Sequence, residues 1–341
     1  MRIGFLLPAV YCLSGPGNGV RVQALRQAEA LRRAGHEVEL MEAWTPFERG
    51  SIDVAHFFLG GGAFHMIEGV RSAGVRMLVF APIIDTNESN RNYRLAARVG
   101  GVHRKIFTIP RLYRDQALGS DLVVCRSEHE RARVVEGLGV DIERTEIVLN
   151  GVDPPPPADP GPARAAHGLP DEYALHVSRY DQPRKNVVRL IEAVGPTGRT
   201  LVIAGNAEET RNLALVREAA ARFPNVKLLG IQPQELLESL YAGCRVFCLP
   251  SVHEGTGLVA LEAAVHGAAI VITRNGGPPD YFLDLAEYVD PDRTDDLRAA
   301  FERAWQRPRT TALRDHVLRN LTWDRSAACL VEAYARHARS R

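Results

Sequence analysis

Short apolar strands alternate with amphipathic helices along the chain, and one proline-rich stretch interrupts this alternation near the middle. Strands are predicted near residues 2–8, 38–42, 53–57, 76–80, 121–125 and 146–149, and again near 173–178, 200–205, 225–229, 245–249, 269–272 and 286–289. Strands that alternate with helices are typical of parallel sheets. The pattern therefore predicts two doubly wound α/β domains that face each other across a cleft, with ligands at the carboxyl ends of the strands.

The interrupting stretch, PPPPADPGP, cannot form regular elements and predicts a semi-rigid linker over residues 154–164. It separates an N-terminal domain, residues 1–153, from a C-terminal domain, residues 165–321. A chain of 341 residues is long enough for both.

Composition excludes several classes of function. A net charge of +1 gives no support for a nucleic-acid partner. The chain has no apolar run long enough for a membrane span, and its start, MRIGFLLPAV, lacks the features of a signal peptide, so a cytoplasmic protein is expected. Peripheral contact with the inner face of the membrane stays open. The five cysteines include no CxxC pair, which favours buried reduced thiols over disulfides or a metal site.

Residues 249–277 carry two acidic side chains, Glu254 and Glu262, across a strand, a turn and the start of a helix. The glycines after Glu254 permit a tight turn into an amphipathic helix over about 258–266. The free N–H groups and the positive dipole end of this helix suit a phosphate. Because helix side chains lean toward the N-terminus, Glu262 can accept hydrogen bonds from sugar hydroxyls held there. Two ordinary surface acids are the alternative interpretation.

The same stretch resembles the E-x7-E signature of retaining GT-B glycosyltransferases of family four. The matching positions are Glu254, Gly255, Gly257, Leu258, Leu261, Glu262, Ala263, Gly267, Gly276 and Gly277. The resemblance covers nearly the whole chain, because residues 31–38 and 146–153 are similar to segments of the family's acceptor domain. It implies two Rossmann-like domains, the first binding the acceptor and the second the nucleotide-sugar donor. It also implies that residues 322–341 form a helix that crosses back to the first domain.

The resemblance also implies roles for residues of the second half. Arg179 and Lys185, which follow its first strand in HVSRYDQPRKN, would hold the donor diphosphate and neutralise the charge of the leaving group. Glu254 would hold hydroxyls of the transferred sugar, and Glu262 would hold the ribose. The other donor-binding positions are Gly255, Thr256, Gly257 and Leu258. A solvated basic turn is the alternative for the two cations.

A glycine cluster, SGPGNG at residues 14–19, lies between the first strand and a helix predicted over 20–34. It is not a GxGxxG motif, and no acid follows at the spacing expected for a ribose contact. The equivalent loop of the resembled family approaches the donor phosphates, with Gly17 and Gly19 as the best matches. A plain strand-to-helix turn is the alternative.

The acceptor side departs from the family. Many relatives have a histidine after the strand that matches residues 77–80, whereas this chain reads APIID there. Asp85 is a candidate contact for acceptor or sugar hydroxyls, and His56 and His65 are candidate substitutes for the absent histidine. His56 is equally consistent with packing at a strand end, and His65 with a helix surface.

Together these features predict a retaining hexosyltransferase of glycan, polysaccharide or glycoconjugate synthesis. Its partners would be a UDP, GDP, ADP or dTDP sugar and a hydroxyl acceptor, either lipid-linked or a glycan. Family precedent favours attack on the same face as departure, without a protein base. No cofactor or metal is expected, because basic residues cover the phosphates and the Asp-x-Asp at residues 290–292 lies in a polar turn. The alternatives are a two-lobed sugar-binding protein without activity and a nucleotide-sugar epimerase of similar fold.

Overall fold

The computed structural model describes residues 1–8, 18–41, 48–59, 66–99 and 108–338. The chain divides into two compact units. The first unit is Met1–Gly151 with Thr322–Arg341, and the second is Val152–Leu321. Each contains one six-stranded sheet whose paired strands are parallel. The predicted α/β class with two parallel sheets is therefore confirmed.

In the first unit, the sheet has the order β2-β1-β3-β4-β5-β6. Its strands are β1 (Arg2–Leu6), β2 (Glu37–Leu40), β3 (Val54–Phe58), β4 (Met77–Ala81), β5 (Leu122–Cys125) and β6 (Thr145–Ile147). Its described helices are α1 (Gly19–Arg33), α2 (Met66–Ser72), α3 (Asn90–Val99), α4 (Ile109–Gly119), α5 (Glu128–Ala132) with a π-helical continuation (Arg133–Leu138), and the C-terminal α14 (Trp323–Ala338).

In the second unit, the sheet has the order β12-β11-β10-β7-β8-β9. Its strands are β7 (Tyr173–Val177), β8 (Leu201–Ala204), β9 (Val226–Gly230), β10 (Cys244–Leu249), β11 (Ala269–Thr273) and β12 (Glu287–Val289). Its helices are α6 (Gly161–His167), α7 (Val187–Val194), α8 (Arg211–Ala221), α9 (Gln234–Gly243), α10 (Leu258–Val265), α11 (Pro278–Phe282), α12 (Thr294–Gln306) and α13 (Ala312–Asn320).

Both sheets reverse their strand order once. In the second unit the chain proceeds outward from β7 to β9 and then returns to place β10 on the other side of β7. In the first unit the corresponding reversal lies between β1 and β3. Loops that leave the carboxyl ends of such neighbouring strands diverge to opposite sides of the sheet and leave a crevice, which is where doubly wound folds bind ligands.

Apolar strands and helix faces build the core of the second unit. Ile203 on β8, Val246 on β10, Ile191 on α7 and Phe301 on α12 are each fully buried in one cluster. Burying a side chain of this size contributes roughly 1.5–3 kcal/mol relative to leaving it exposed. The strands are thereby held rigidly, so the loops at their carboxyl ends start from fixed positions.

The linker prediction of 154–164 is too long, because α6 begins at Gly161. A proline in the first helical turn is tolerated, since the N–H groups of that turn have no acceptor within the helix. The Oδ1 of Asp159 accepts the Gly161 N–H at 2.8 Å, and the Ser239 hydroxyl accepts the Ala163 N–H at 3.0 Å. Irregular chain therefore ends at Pro160.

The C-terminal helix α14 packs in the first unit, with Trp323 and Tyr334 both buried. The N-terminal end of α14 lies against Gly151, the last residue of the segment Met1–Gly151. A Cβ on Gly151 would fall 2.3 Å from the backbone nitrogen of Trp323, so only glycine permits this approach.

Candidate functional site

The candidate site of the second unit lies at the carboxyl ends of β7, β10 and β11, which are neighbours in the sheet. Arg179 and Lys185 follow β7, Glu254 follows β10, and Gly276 follows β11. The strand order reverses between β7 and β10, so the two cations and the first glutamate flank the crevice of this sheet.

Lys185 and Glu254 form the central ion pair of the site. The Nζ of Lys185 donates to Oε2 of Glu254 at 2.8 Å, and the two side chains are only 10% and 12% exposed. A pair so withdrawn from water interacts more strongly than a surface pair. The pair brings together two residues that are 69 positions apart in sequence, so both can contact one ligand.

Asn186 fixes the backbone beside Lys185. Its φ of 58° lies in the left-handed region, which asparagine tolerates better than most residues. Its Nδ2 donates to the carbonyls of Pro250 at 3.1 Å and Pro291 at 2.7 Å. Asn186 therefore ties the loop after β7 to the loops after β10 and β12. Lys185 lies in a short 3₁₀ turn, Pro183–Lys185, and α7 begins at Val187.

The backbone of Glu254 is fixed by the loop after β11. Its N–H donates to the Asn275 carbonyl at 3.1 Å, and its carbonyl accepts the Gly277 N–H at 3.0 Å. Between these two bonds lies Gly276, with a φ of 108°. A Cβ at this position would fall 2.1 Å from the Glu254 carbonyl oxygen. Glycine is therefore required at residue 276 to let the two loops meet.

The turn into α10 is built by the residues that follow Glu254. Gly257 occupies the N-cap in the left-handed conformation, with a φ of 79°, and no side chain caps the helix. Thr256 is buried, with its hydroxyl 3.3 Å from that of Tyr281. Gly255 is also buried, and Leu258 is the first helical residue. The start of α10 thus carries first-turn N–H groups without a side-chain cap, which an anion can satisfy.

Arg179 is the more exposed cation of the site, with 41% of its side chain accessible. It contacts Asp181 at 3.3 Å and Glu208 at 2.8 Å. The hydrogen bond that Arg179 donates to Asp181 is the main cause that raises the pKa of Arg179 above its usual value. Asp181 is buried and orients the guanidinium, a role that sequence reasoning missed although the acid lies two residues after Arg179.

Glu262 lies on α10 and is half-buried. Its Oε2 accepts the hydroxyl of Tyr241, on α9, at 2.8 Å. This partner could not be predicted from the sequence, because nothing in the spacing of 21 residues indicates that α9 and α10 meet here. The ribose role of Glu262 stays a prediction.

His176 lies beneath the ion pair and was also missed. Its Nδ1 is 2.7 Å from the Cys248 carbonyl and its Nε2 is 2.7 Å from the Ser178 hydroxyl. Burial lowers the pKa of His176 to about 4, so the ring is neutral near pH 7. A carbonyl can only accept, so the proton lies on Nδ1 and Nε2 accepts from Ser178. His176 thereby joins β7 to β10 directly under the site.

In the first unit, two predicted positions, Gly17 and His65, lie outside the described residues. Gly19 is the exposed first residue of α1. The Asn18 side chain caps this helix by accepting the N–H groups of Val20 at 3.0 Å and Arg21 at 3.3 Å. The phosphate contact predicted at Gly19 would therefore have to compete with an existing cap.

The acceptor-side prediction for His56 is wrong. His56 is 1% exposed, and its Nδ1 lies 2.6 Å from the Tyr334 hydroxyl on α14. Its ring stacks on Phe58 with a centroid distance of 4.6 Å. Burial lowers the pKa of His56 to about 3, so it remains neutral. His56 is a packing residue, because an alternating strand pattern does not reveal when both faces of the strand are covered.

Asp85 belongs to a charged cluster at the carboxyl ends of β4 and β5. Its Oδ1 accepts from Arg126 at 2.9 Å, and 36% of its side chain is exposed. Arg126 in turn pairs with Glu130 at 3.1 Å, and both of these side chains are buried. Glu130 also accepts the N–H of Ile84 at 2.6 Å. Asp85 is thus accessible and held in place by Arg126, which the sequence analysis did not single out.

Within the part of the chain that the structure describes, no group of three or more His, Cys, Asp or Glu side chains has the arrangement of a metal site. None of the helices in these same ranges combines the length and apolar character needed to cross a bilayer.

Comparison with known proteins agrees with this fold. The family model "Glycosyl transferases group 1" matches residues 162–317, which include all of the predicted site residues of the second unit. The chain is 30% identical over 243 residues to D-inositol 3-phosphate glycosyltransferase of Xylanimonas cellulosilytica, covering 65% of this chain and 58% of that protein. It spans 52–62% of the length of the first three such curated relatives.

Two solved structures share the fold at low sequence identity. Sucrose-phosphate synthase from Thermosynechococcus elongatus has a TM-score of 0.78 and 16% identity, with 100% of each chain covered. Anabaena HepE in complex with UDP and glucose has a TM-score of 0.72 and 17% identity, covering 98% of this chain and 100% of that one. The fold is GT-B, and residues 162–317 match the family model of the group 1 glycosyl transferases.

Proposed function

We propose that this protein transfers a sugar from a nucleotide-sugar donor to a hydroxyl acceptor, with retention at the anomeric carbon. The observation that carries the proposal is the arrangement after β7 and β10. There, Arg179, the Lys185–Glu254 pair and the uncapped start of α10 lie at the crevice of one sheet. Two cations beside a helix N-terminus suit a diphosphate, and a nearby carboxylate suits sugar hydroxyls.

Each of these groups has a defined task in the proposed reaction. The diphosphate binds Lys185 and Arg179, whose charges stabilise the leaving nucleoside diphosphate as the bond to the anomeric carbon breaks. Because Lys185 also holds Glu254 at 2.8 Å, the same lysine positions the carboxylate against the transferred sugar. Glu262 accepts the ribose hydroxyls. No metal is required for charge neutralisation in this arrangement.

The acceptor oxygen attacks the anomeric carbon from the face that the diphosphate leaves. Its proton passes to the departing phosphate oxygen, so no protein base is needed. This route accommodates the absence of a histidine after β4. Asp85, accessible and held by Arg126 at 2.9 Å, is the proposed acceptor contact.

The donor and acceptor classes follow from chemistry and from the relatives' names. HepE was solved with UDP and glucose, which favours a UDP sugar as the first donor to test. A hydroxylated acceptor of a glycan or lipid-linked type suits a relative named for D-inositol 3-phosphate and another named for phosphatidyl-myo-inositol.

A donor panel tests the proposed activity. The protein is incubated with UDP, GDP, ADP and dTDP sugars, and released nucleoside diphosphate is measured, first by slow hydrolysis and then with candidate acceptors. One donor class should be turned over, and the anomeric configuration of the product, read by NMR, should match that of the donor. Saturable sugar binding with no release from any donor would instead identify a sugar-binding protein.

We also propose contact with a membrane surface through α3 of the first unit, in a protein of the cytoplasm. Its exposed face presents Arg91 and Arg98 with Leu95 between them, and Leu95 is 62% exposed. Residues 89–114 contain seven Lys and Arg and no Asp or Glu, in a chain of net charge +1. A basic helix with exposed aliphatic groups suits an anionic bilayer.

Co-sedimentation with vesicles tests this contact. The protein should bind vesicles containing phosphatidylglycerol and not pure phosphatidylcholine vesicles, and Arg91→Glu with Arg98→Glu should abolish binding. Arg217→Glu on α8 of the second unit, combined with Arg222→Glu at the C-cap of that helix, makes the same change of net charge and should leave binding intact. Equal loss of vesicle binding in both double variants would show that binding depends only on net charge and would contradict a contact through α3.

A further inference from the structure

Glu262 is placed for its proposed role by a residue on a different helix. Tyr241, near the end of α9, is 1% exposed, and its hydroxyl donates to the Glu262 Oε2 at 2.8 Å. A phenol has a single proton to donate. The bond therefore commits that proton to one carboxylate oxygen and restricts rotation of the Glu262 carboxylate.

The Tyr241 ring is itself held by aromatic neighbours. The His266 ring lies nearly parallel to it, at a centroid distance of 5.9 Å and an angle of 14°. Phe247 packs on it at 6.0 Å with a tilt of 50°. His266 in turn contacts Glu238, on α9, at 2.8 Å. The hydroxyl thus projects from a ring that cannot turn aside without moving α9, α10 and β10.

The Tyr241 hydroxyl stays protonated and can always donate its hydrogen bond to Glu262. Burial, followed by the negative charge of Glu262, raises the pKa of Tyr241 well above its usual value. The hydroxyl therefore keeps its proton throughout the neutral and alkaline range. A carboxylate that must accept ribose hydroxyls benefits from such a partner, because orientation fixed before binding reduces the entropy lost on binding.

We propose that Tyr241 is a positioning residue for the nucleotide: its hydroxyl fixes Glu262 in the orientation that accepts the ribose hydroxyls. The inference rests on the proposed function, since it requires Glu262 to bind ribose. Tyr241 does not touch the ligand. Its effect should depend on the ribose hydroxyls and on Glu262, which a purely structural tyrosine would not show.

The test compares Tyr241→Phe with wild type by calorimetry, using UDP and its 2′,3′-dideoxy analogue, or the GDP or ADP pair if the donor panel selects those bases. UDP should bind about five- to ten-fold more weakly, because the substitution loosens Glu262 without deleting its ribose contact, and a loss of this size is in the range of one typical hydrogen bond. The dideoxy analogue should bind both proteins equally. In turnover, KM for the donor should rise while kcat stays near wild type, because the ribose contact persists through the reaction.

Tyr173→Phe is the matched control. Tyr173, on β7, is as buried as Tyr241. Its hydroxyl donates at 2.7 Å to the carbonyl of Leu240, which lies on α9 with Tyr241. This variant removes a comparable hydroxyl without touching Glu262, and UDP binding should be unchanged. Thermal unfolding of both variants shows whether they are folded to the same extent. An equal loss of UDP affinity in the two variants would make the effect one of packing and overturn the proposal.

The double variant separates this inference from the proposed function. In a Glu262→Gln background, Tyr241→Phe should add less than a two-fold further loss, because the two residues act as one unit. If Glu262→Gln removes the preference for UDP over its dideoxy analogue but Tyr241→Phe preserves it, the positioning role is wrong and the ribose role stands. If Glu262→Gln leaves that preference unchanged, the ribose role itself fails.

Discussion

The crevices of the two sheets are built by different means. In the second unit, the loops that carry Lys185 and Glu254 are tied together through backbone carbonyls, which accept from the Asn186 side chain and from the N–H groups of Glu254 and Gly277. In the first unit, the described polar cluster after β4 and β5 is set by side chains, with Arg126 pairing with both Asp85 and Glu130. Loops fixed in this way suit the proposed diphosphate, which is the same in every proposed nucleotide-sugar donor. A cluster made of side chains can be rebuilt by substitution, as proposed acceptors of different shape would require.

Lys185→Ala should cause the largest loss, because it removes the charge proposed to stabilise the leaving diphosphate. Losing one preorganised electrostatic donor lowers kcat by about 10²–10³, or roughly 3–4 kcal/mol. Affinity for nucleoside diphosphate should fall as well. Initial rates and calorimetry on the selected donor measure both, and normal kinetics in the variant would exclude a phosphate role. A parallel Arg184→Ala variant, in the exposed part of the same turn, should stay close to wild type.

Glu130→Ala tests the side-chain cluster of the first unit. It leaves the buried Arg126 guanidinium without one of its carboxylate partners, which costs about 3–5 kcal/mol of unfolding free energy for fully buried pairs. Because Glu130 lies in the first unit, UDP or GDP affinity of the folded protein should not change. Urea denaturation followed by calorimetry at low denaturant checks both statements. Weaker nucleotide binding in the folded variant would show that the donor site depends on the first unit.

Acid should destabilise both units through their buried histidines. Burial lowers the pKa of His176 to about 4 from an unfolded value near 6.5, so the unfolded chain takes up a proton that the folded chain excludes. The free energy of unfolding should therefore fall as pH drops below 6.5, by about 2 kcal/mol at pH 5 for this residue. His56, whose pKa is about 3, acts in the same direction in the first unit.

His176→Asn isolates that contribution, since the asparagine amide can still donate to the Cys248 carbonyl. Between pH 7.5 and pH 5, wild type should lose about 2 kcal/mol more than the variant in chemical denaturation. Parallel pH profiles for the two proteins would contradict the burial of a neutral ring beneath the site. The same comparison with His56→Phe reports on the first unit.

The strands, and the position of Glu254 just after β10, could be predicted from the sequence because these features are local. Apolar runs mark buried strands, and Glu254 with its glycines forms one continuous segment. Residues whose roles depend on meeting a distant element were missed. Tyr241 meets Glu262 across two helices, and Asn186 meets Pro291 across 105 positions. No periodicity or spacing in a single sequence encodes such contacts.

The first unit shows the opposite failure, in which a residue of suitable chemistry lies in the wrong place. His56 is a polar residue near the end of a predicted strand, where a ligand contact is plausible. In the structure it is the middle residue of β3, both faces of that strand are covered, and the ring is buried against Tyr334. A titratable side chain on an apolar strand is therefore weak grounds for a ligand contact. Asp85 follows its strand and remains accessible, which keeps it as the acceptor-side candidate.

The central claim is that Glu254 and Glu262 serve different parts of one nucleotide sugar, and calorimetric titration of the two glutamine variants with nucleoside diphosphate tests it most directly. Glu262→Gln should weaken binding, because the ribose is present in the diphosphate. Glu254→Gln should bind the diphosphate as tightly as wild type or more tightly, because Lys185 is released from its 2.8 Å pair, while kcat with the full donor falls. Equal weakening of diphosphate binding by both substitutions would contradict the division of roles.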